Sequence, residues 1–192
     1  ELTQVNQVVA ARNEELEAAR ADLEHLAMHD SLTGLPNRRY LDAVLADCTS
    51  EPDGSLRIAL MHIDLDRFKQ INDTLGHAAG DAVLVHVAGV LRQSSEPGDF
   101  IARIGGDEFG VFLKGIPQRE FAMNKANQLL ACLHEIGITE QNESAFSASI
   151  GISFYPECAK SFNELYQAAD KALYRAKRSG KDQYAACSEN IL

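Results

Sequence analysis

The sequence predicts an α+β fold: a central sheet flanked by helices, with a long helix in front of it. Three observations carry this expectation. Segments of helical and strand periodicity follow one another as helix, strand, helix, strand, strand, helix, strand, helix, an order that suits a sheet covered by helices. The first apolar run, Ile58 to Ile63, is short and unbroken, as in a buried central strand. No GxGxxG follows that strand, so a dinucleotide-binding unit of the Rossmann type is not expected.

The leading helix comes first. Leu2, Val5, Val9, Arg12, Leu16, Ala19, Leu23 and Leu26 recur by alternating threes and fours. That is the spacing of a coiled-coil seam, and a helix carrying it is expected to pair with a parallel copy of itself. Arg12 is the weak point of the seam. Gly34, Pro36 and Asn37 then break the helix, and Asn37 is placed to cap the next one, which carries Tyr40, Leu41, Val44 and Leu45. Asp53-Gly54 ends a loop. The strand from Ile58 delivers Asp64 and Asp66 at its C-terminal end. Phe68 to Asn72 is a short helix or turn, and Gly76 and Gly80 bracket a loop. The helix after it turns Ala82, Val83, Val87, Ala88 and Leu91 to the core. Phe100 to Ile104 and Phe109 to Leu113 are strands around Gly105-Gly106, two glycines able to take the positive φ of a tight hairpin. Gln118 to Ile136 is a helix, Phe146 to Phe154 a strand and Asn163 to Lys177 the last helix. Tyr184 lies on a final short strand. The chain divides into a signalling helix over 1–29, a globular domain over 30–186 and a tail over 187–192.

Composition narrows the function. A length of 192 residues with 45% apolar content fits one domain and a short appendage. A net charge of −10 argues against a nucleic-acid surface. It leaves room for a nucleotide, because a metal ion and a few local lysines can hold a triphosphate in an acidic protein. Cys48, Cys132, Cys158 and Cys187 form no CxxC pair and read as free thiols in a reducing, cytoplasmic compartment. No apolar stretch approaches the length of a membrane span, so no membrane contact is expected in this segment. The chain starts at Glu1 inside the helical repeat, which suggests a piece of a longer protein with a sensor upstream.

The acids carry the chemistry. Asp64 and Asp66 can hold a hard cation such as Mg²⁺, or simply cap their strand. In Gly105-Gly106-Asp107-Glu108, the glycines let a phosphate approach backbone N–H groups, and strand alternation sends the two acids to opposite faces. A solvated hairpin tip would carry the same acids for solubility. The six histidines form no HExxH or similar set and are assigned no metal.

Gly105-Gly106-Asp107-Glu108-Phe109 resembles the signature of the GGDEF diguanylate cyclases. Four further blocks agree in order and spacing: Asp30 to Arg39 (DSLTGLPNRR), Asp64 to Asp73 (DLDRFKQIND), Gly76 to Asp81 (GHAAGD) and Ala169 to Arg178 (ADKALYRAKR). The resemblance covers Asp30 to Tyr184. It implies a ferredoxin-like palm with a central, mainly antiparallel sheet, one GTP per monomer, and two monomers face to face, each 3′-hydroxyl attacking the partner's α-phosphorus. It implies Mg²⁺ or Mn²⁺ held by Asp64, the Leu65 carbonyl, Asp107 and Glu108. Asp64, Asp107 and Glu108 are then the catalytic acids. Asn72 and Asp81 match the residues that read guanine, Lys177 and Lys181 match basic positions at the terminal phosphates, and Arg103, Gly105 and Gly106 border the substrate. Arg38 is expected to pair with Asp30. Many relatives carry an RxxD motif that binds the cyclic product and inhibits. Here the matching stretch is Glu96-Pro97-Gly98-Asp99, with Glu96 where the arginine belongs, so inhibition through this site is not expected.

Overall fold

A computed structural model describes residues 2–49, 57–135 and 146–188. Strand β1 (Ile58–Leu65) is the middle of a five-stranded sheet. The other strands are β2 (Phe100–Gly105), β3 (Glu108–Lys114), β4 (Ala148–Tyr155) and β5 (Tyr184–Ala186), in the spatial order β2-β3-β1-β4-β5. All neighbours are antiparallel except β4 and β5, which run parallel. The sheet is mainly antiparallel, as expected of the palm fold that the resemblance implies.

Helices cover both faces, and β1 shows why its sequence is an unbroken apolar run. Ala59, Met61, Ile63 and Leu65 enter one core, shared with Val83, Val87 and Leu91 of α4 (His77–Gln93) and Leu129 and Leu133 of α5 (Arg119–His134). Ile58 and Leu60 enter the other core, with Leu41 and Leu45 of α2 (Arg38–Thr49) and Leu165 and Ala169 of α6 (Phe162–Arg178). Strand alternation then puts His62 and Asp64 on the α2–α6 side. Gly151 on β4 sets the depth of α6. A Cβ there would lie 2.1 Å from the Ala169 carbonyl oxygen and 2.3 Å from the Leu173 nitrogen, so the helix rests directly on strand backbone.

Helix α1 (Leu2–Met28) stands off this body, with Leu16, Leu23 and Leu26 exposed. Asn37 caps the next helix as expected and also joins α1 to the domain. Its Nδ2 donates to the Ala27 carbonyl at 2.9 Å, and its Oδ1 accepts from Tyr40 N–H at 3.1 Å, capping α2. Between β1 and α4 lies α3 (Phe68–Leu75), longer than the sequence suggests. The hairpin turn is Gly106-Asp107, with Gly106 at φ 32°, while Gly105 ends β2. Asp53-Gly54 and Ile136 fall outside the described residues.

Two expectations are corrected. Cys158 and Cys187 are joined in a disulfide, so they are not free thiols, and the argument from thiols to a reducing compartment loses them. Their separation of 29 residues hides the contact. β5 runs parallel to β4 and brings the residue after it beside the turn that follows β4. Cys187, placed in the tail by sequence, is 6% exposed and donates its N–H to the Ile152 carbonyl at 2.7 Å. Cys132 is free. Among the described residues no helix is long and apolar enough to cross a membrane.

Candidate active site

The C-terminal end of β1 and the β2–β3 turn form one mouth. Asp64 and Glu108 are direct cross-strand partners, so their side chains share the face that α6 covers. Lys177, in the last turn of α6, places Nζ 2.6 Å from Asp64 Oδ2. Leu65 N–H donates to the Asp107 carbonyl at 3.2 Å, which holds the turn against the strand end. Asp64, Glu108 and Lys177 are therefore in one cluster, with Asp107 at its rim.

The electrostatics follow from this packing. Burial pushes the Asp64 carboxyl above the ordinary range, against the pull of the Lys177 ammonium, and Asp107 and Glu108 add to the rise by repulsion. Glu108 lies below its ordinary range. The cause is first the His62 imidazole, opposed by burial and aided by the charges of Lys177 and Arg38. His62 Nε2 stands 3.7 Å from Glu108 Oε2, an electrostatic approach rather than a hydrogen bond. The cluster is a set of oxygen donors whose mutual repulsion one ammonium offsets. Carboxylate oxygens are the ligands a hard divalent cation takes, and the salt-bridged ammonium marks where positive charge is favoured, but among the described residues no three acids, His or Cys stand together as a formed metal site.

The other sequence-predicted residues sit around this mouth. Asn72 on α3 lies against the first turn of α4. A Cβ on Gly80 would fall 1.9 Å from Asn72 Oδ1, so the glycine lets the amide close up beside exposed Asp81. Arg103 braces the hairpin from behind. Its Nε and Nη2 donate to the Gly106 carbonyl at 3.1 and 2.8 Å, and its Nη1 reaches both Asp30 oxygens at 3.0 and 3.1 Å. Lys181 is exposed in the loop between α6 and β5, with a left-handed backbone at φ 65°. The pairing of Asp30 with Arg38 is corrected: Asp30 takes Arg103, while Arg38 approaches Asp42 at 4.0 Å and lies over the Tyr166 ring. The cause is direction, since Arg38 opens α2 and faces the α6 side.

Three participants were missed or misread from sequence. His62 is 2% exposed behind Glu108, with its other nitrogen 3.7 Å from Asp170. Its signal was present, a polar residue inside an apolar strand two positions before Asp64. Asp30 is the partner of Arg103, a contact set by the parallel bridge between Asn37 and Arg103, which no local pattern announces. Asp66, grouped with Asp64 as an acid that could bind metal, is 5% exposed and accepts hydrogen bonds from Ser147, Ser149 and the Asp182 N–H.

At the opposite end of β2 the 96–99 turn is closed internally. Asp99 Oδ2 accepts from Glu96 N–H at 2.9 Å and from Lys125 Nζ at 3.0 Å, and Glu96 Oε1 is 3.7 Å from the same ammonium.

The family described as "Diguanylate cyclase, GGDEF domain" matches residues 27–183. "Diguanylate cyclase TpbB" of Pseudomonas aeruginosa is 38% identical over 190 residues, covering 94% of this chain and 44% of the relative. "Diguanylate cyclase DgcM" of Escherichia coli is 36% identical, covering 85% of this chain and 39% of that one. This chain thus spans less than half the length of these curated relatives. The coiled coil and GGDEF domain of DgcB from Caulobacter crescentus, solved in complex with c-di-GMP, superimposes with a TM-score of 0.83 at 28% identity, covering 95% of this chain and 99% of that one. With the acids at the hairpin, the palm-like sheet and a family match over most of its length, the chain belongs to the GGDEF diguanylate cyclase family.

Proposed function

We propose that this chain condenses two GTP molecules into cyclic di-GMP, releasing two pyrophosphates, at the interface of two such domains. The observation that carries the reading is the convergence of Asp64, Glu108 and Lys177 at the strand-end mouth of a GGDEF-family palm.

Each residue then has a task. The Asn72 amide and the Asp81 carboxylate cover the O6, N1–H and N2–H₂ edge of guanine, and adenine would leave Asp81 without its donors. Lys177 and Lys181 take the terminal phosphates, Lys177 by leaving its bridge to Asp64. Asp64, the Leu65 carbonyl, Asp107 and Glu108 would hold Mg²⁺ or Mn²⁺, which when bound neutralises charge on the phosphate oxygens. Arg103 keeps the Gly106-Asp107 turn in place so that backbone at Gly105 and Gly106 can approach a phosphate. Glu108, held ionised, faces the mouth as an acceptor for the 3′-hydroxyl proton.

One domain holds one nucleotide, so a second copy must bring the other 3′-hydroxyl. Closing two loaded subunits makes that attack effectively unimolecular. The exposed Leu16, Leu23 and Leu26 stripe supports a parallel α1 pairing that would couple an upstream sensor to this closure. GTP is a cytoplasmic substrate, which supports placing the domain on that side. The Glu96 and Asp99 turn, engaged by Lys125, supports an enzyme without product inhibition through that site.

The test is chromatography of the products formed when GTP and ATP are supplied together with Mg²⁺. Cyclic di-GMP as the cyclic product, with one pyrophosphate per GTP consumed, is expected. A mixed dinucleotide would overturn the guanine assignment, and no turnover would make the domain a binding module.

A further inference from the structure

Among the described residues, the non-glycine residues with left-handed backbone are Arg67 (φ 60°), Lys181 (φ 65°) and Asp182 (φ 51°). L-residues avoid this region, and it persists only where the surroundings enforce it. Two of them adjoin Asp66, and the third is the chain neighbour of one of those. Arg67 follows Asp66 in sequence. The Asp182 N–H donates to Asp66 Oδ2 at 3.0 Å, and Lys181 is the next residue back.

Asp66 has no free carboxylate oxygen. Ser149 Oγ donates to Oδ1 at 2.9 Å, Ser147 Oγ to Oδ2 at 3.0 Å, and the Asp66 N–H donates to the Ser147 carbonyl at 2.9 Å. One buried side chain therefore ties the end of β1 to the start of β4 and to the loop after α6. That loop is also held by Lys181 N–H on the Ala176 carbonyl at 3.1 Å, by Gln183 Nε2 on the same carbonyl at 3.2 Å, by Ile150 N–H on the Gln183 carbonyl at 3.0 Å, and by the contact of Asp182 with His134. A buried carboxylate whose lone pairs meet three protein donors is poorly placed to ligate a metal as well.

We propose that Asp66 is a positioning residue. Through the Asp182 N–H it fixes the loop that presents Lys181 to the terminal phosphates of the bound nucleotide. The inference rests on the cyclase reading. It also separates the two acids of the Asp64-Leu65-Asp66 run: the first serves the reacting phosphate, the second the group that binds the leaving pyrophosphate.

The chemistry gives a discriminating pair of variants. In Asp66→Asn the amide oxygen still accepts from Asp182 N–H and Ser147, and the Ser149 hydroxyl can rotate to accept from Nδ2. Asp66→Ala loses every one of these bonds. The probe is guanosine 5′-(α,β-methylene)triphosphate with Mg²⁺, titrated calorimetrically against the whole chain and paired with steady-state kinetics on GTP. Asp66→Ala is expected to weaken analogue binding and raise KM about tenfold, the effect of losing one charge-assisted contact, with kcat within about threefold. Asp66→Asn should stay within about threefold of wild type in both. Lys181→Ala should add little in the Asp66→Ala background, because the two act on one contact.

If Asp66→Ala does not fold, Asp66→Ser serves, since its short hydroxyl fills part of the space but falls short of Asp182, and the same split is expected. Unchanged analogue affinity in a folded Asp66→Ala or Asp66→Ser overturns the proposal. So does full additivity with Lys181→Ala, or a loss of kcat in Asp66→Asn as deep as in Asp64→Ala, which would make Asp66 a metal ligand. A wild-type chain that binds no analogue overturns the cyclase reading and this inference together. Wild-type binding with an unaffected variant overturns this inference alone.

Discussion

Strands β2 and β3 carry an acidic cluster at each end, and the two clusters treat their lysine differently. At the hairpin end, Asp64 faces Lys177, whose side chain is 34% exposed. At the 96–99 end, Asp99 faces Lys125, whose side chain is 6% exposed. Both are single ammonium groups within hydrogen-bond range of a carboxylate. The two carboxylates are almost equally buried, Asp64 at 13% and Asp99 at 11% exposed, so the lysines make the difference: the exposed one can swing out to a phosphate while a metal takes its place beside Asp64. The buried one cannot leave without stranding Asp99 in a poorly solvated place. Burial thus distinguishes a site that can accept a ligand from one closed by its own side chain.

The largest effect tests the open end. Asp64→Ala should lower the rate of cyclic di-GMP formation by about a hundredfold or more, the scale of losing a preorganised charged group at a reacting centre. It should not unfold the chain. Burial raises the Asp64 carboxyl, so its charge at neutral pH opposes folding, and the variant's urea midpoint should equal or exceed that of wild type. A folded variant with near-normal turnover would break the comparison at its functional side.

The next effect tests the closed end. Lys125→Met should cost about 3 kcal/mol of stability in urea unfolding, by leaving Asp99 buried without its cation. Adding Asp99→Asn should recover part of that loss. Turnover in the folded fraction should stay near wild type. A loss of activity without a loss of stability would mean that the 96–99 turn takes part in the reaction.

The smallest effect separates a brace from either cluster. Burial alone would raise the Asp30 carboxyl, but hydrogen bonds from Thr33 and from Arg103, with the Arg103 charge, outweigh it and hold it below the ordinary 3.8. A carboxyl depressed in the fold stabilises above its unfolded value, and that contribution fades as pH falls through the folded one. The difference in Tm between wild type and Asp30→Asn should be full at neutral pH and close as the solution is acidified below about pH 4. A gap that persists at low pH would mean the charge of Asp30 is not what braces Arg103.

The contrast between these regions also shows what a sequence can carry. The short unbroken apolar run of β1 and the heptad of α1 are local patterns, so the strand and the leading helix were legible. The acids stood out in sequence because they end an apolar run and follow two glycines between strands, whereas the pairing of Asp64 opposite Glu108 comes from the strand register. Contacts made between distant segments were not. Lys125 meets Asp99 across 26 residues, Asp66 meets Asp182 across 116, and Asp30 meets Arg103 across 73. Each joins polar residues whose local surroundings fit a solvated surface equally well. The Cys158–Cys187 bond fails for the same reason, since it depends on a parallel strand pairing that no turn signal specifies.

The central claim is that guanine nucleotides are handled at the hairpin end and not at the 96–99 turn. An initial-rate matrix varying GTP and cyclic di-GMP tests it most directly. The account predicts competitive inhibition, because product and substrate share Asn72 and Asp81, with kcat recovered at high GTP. A noncompetitive pattern, with product binding that survives Asp81→Ala, would contradict it and point to a second product site.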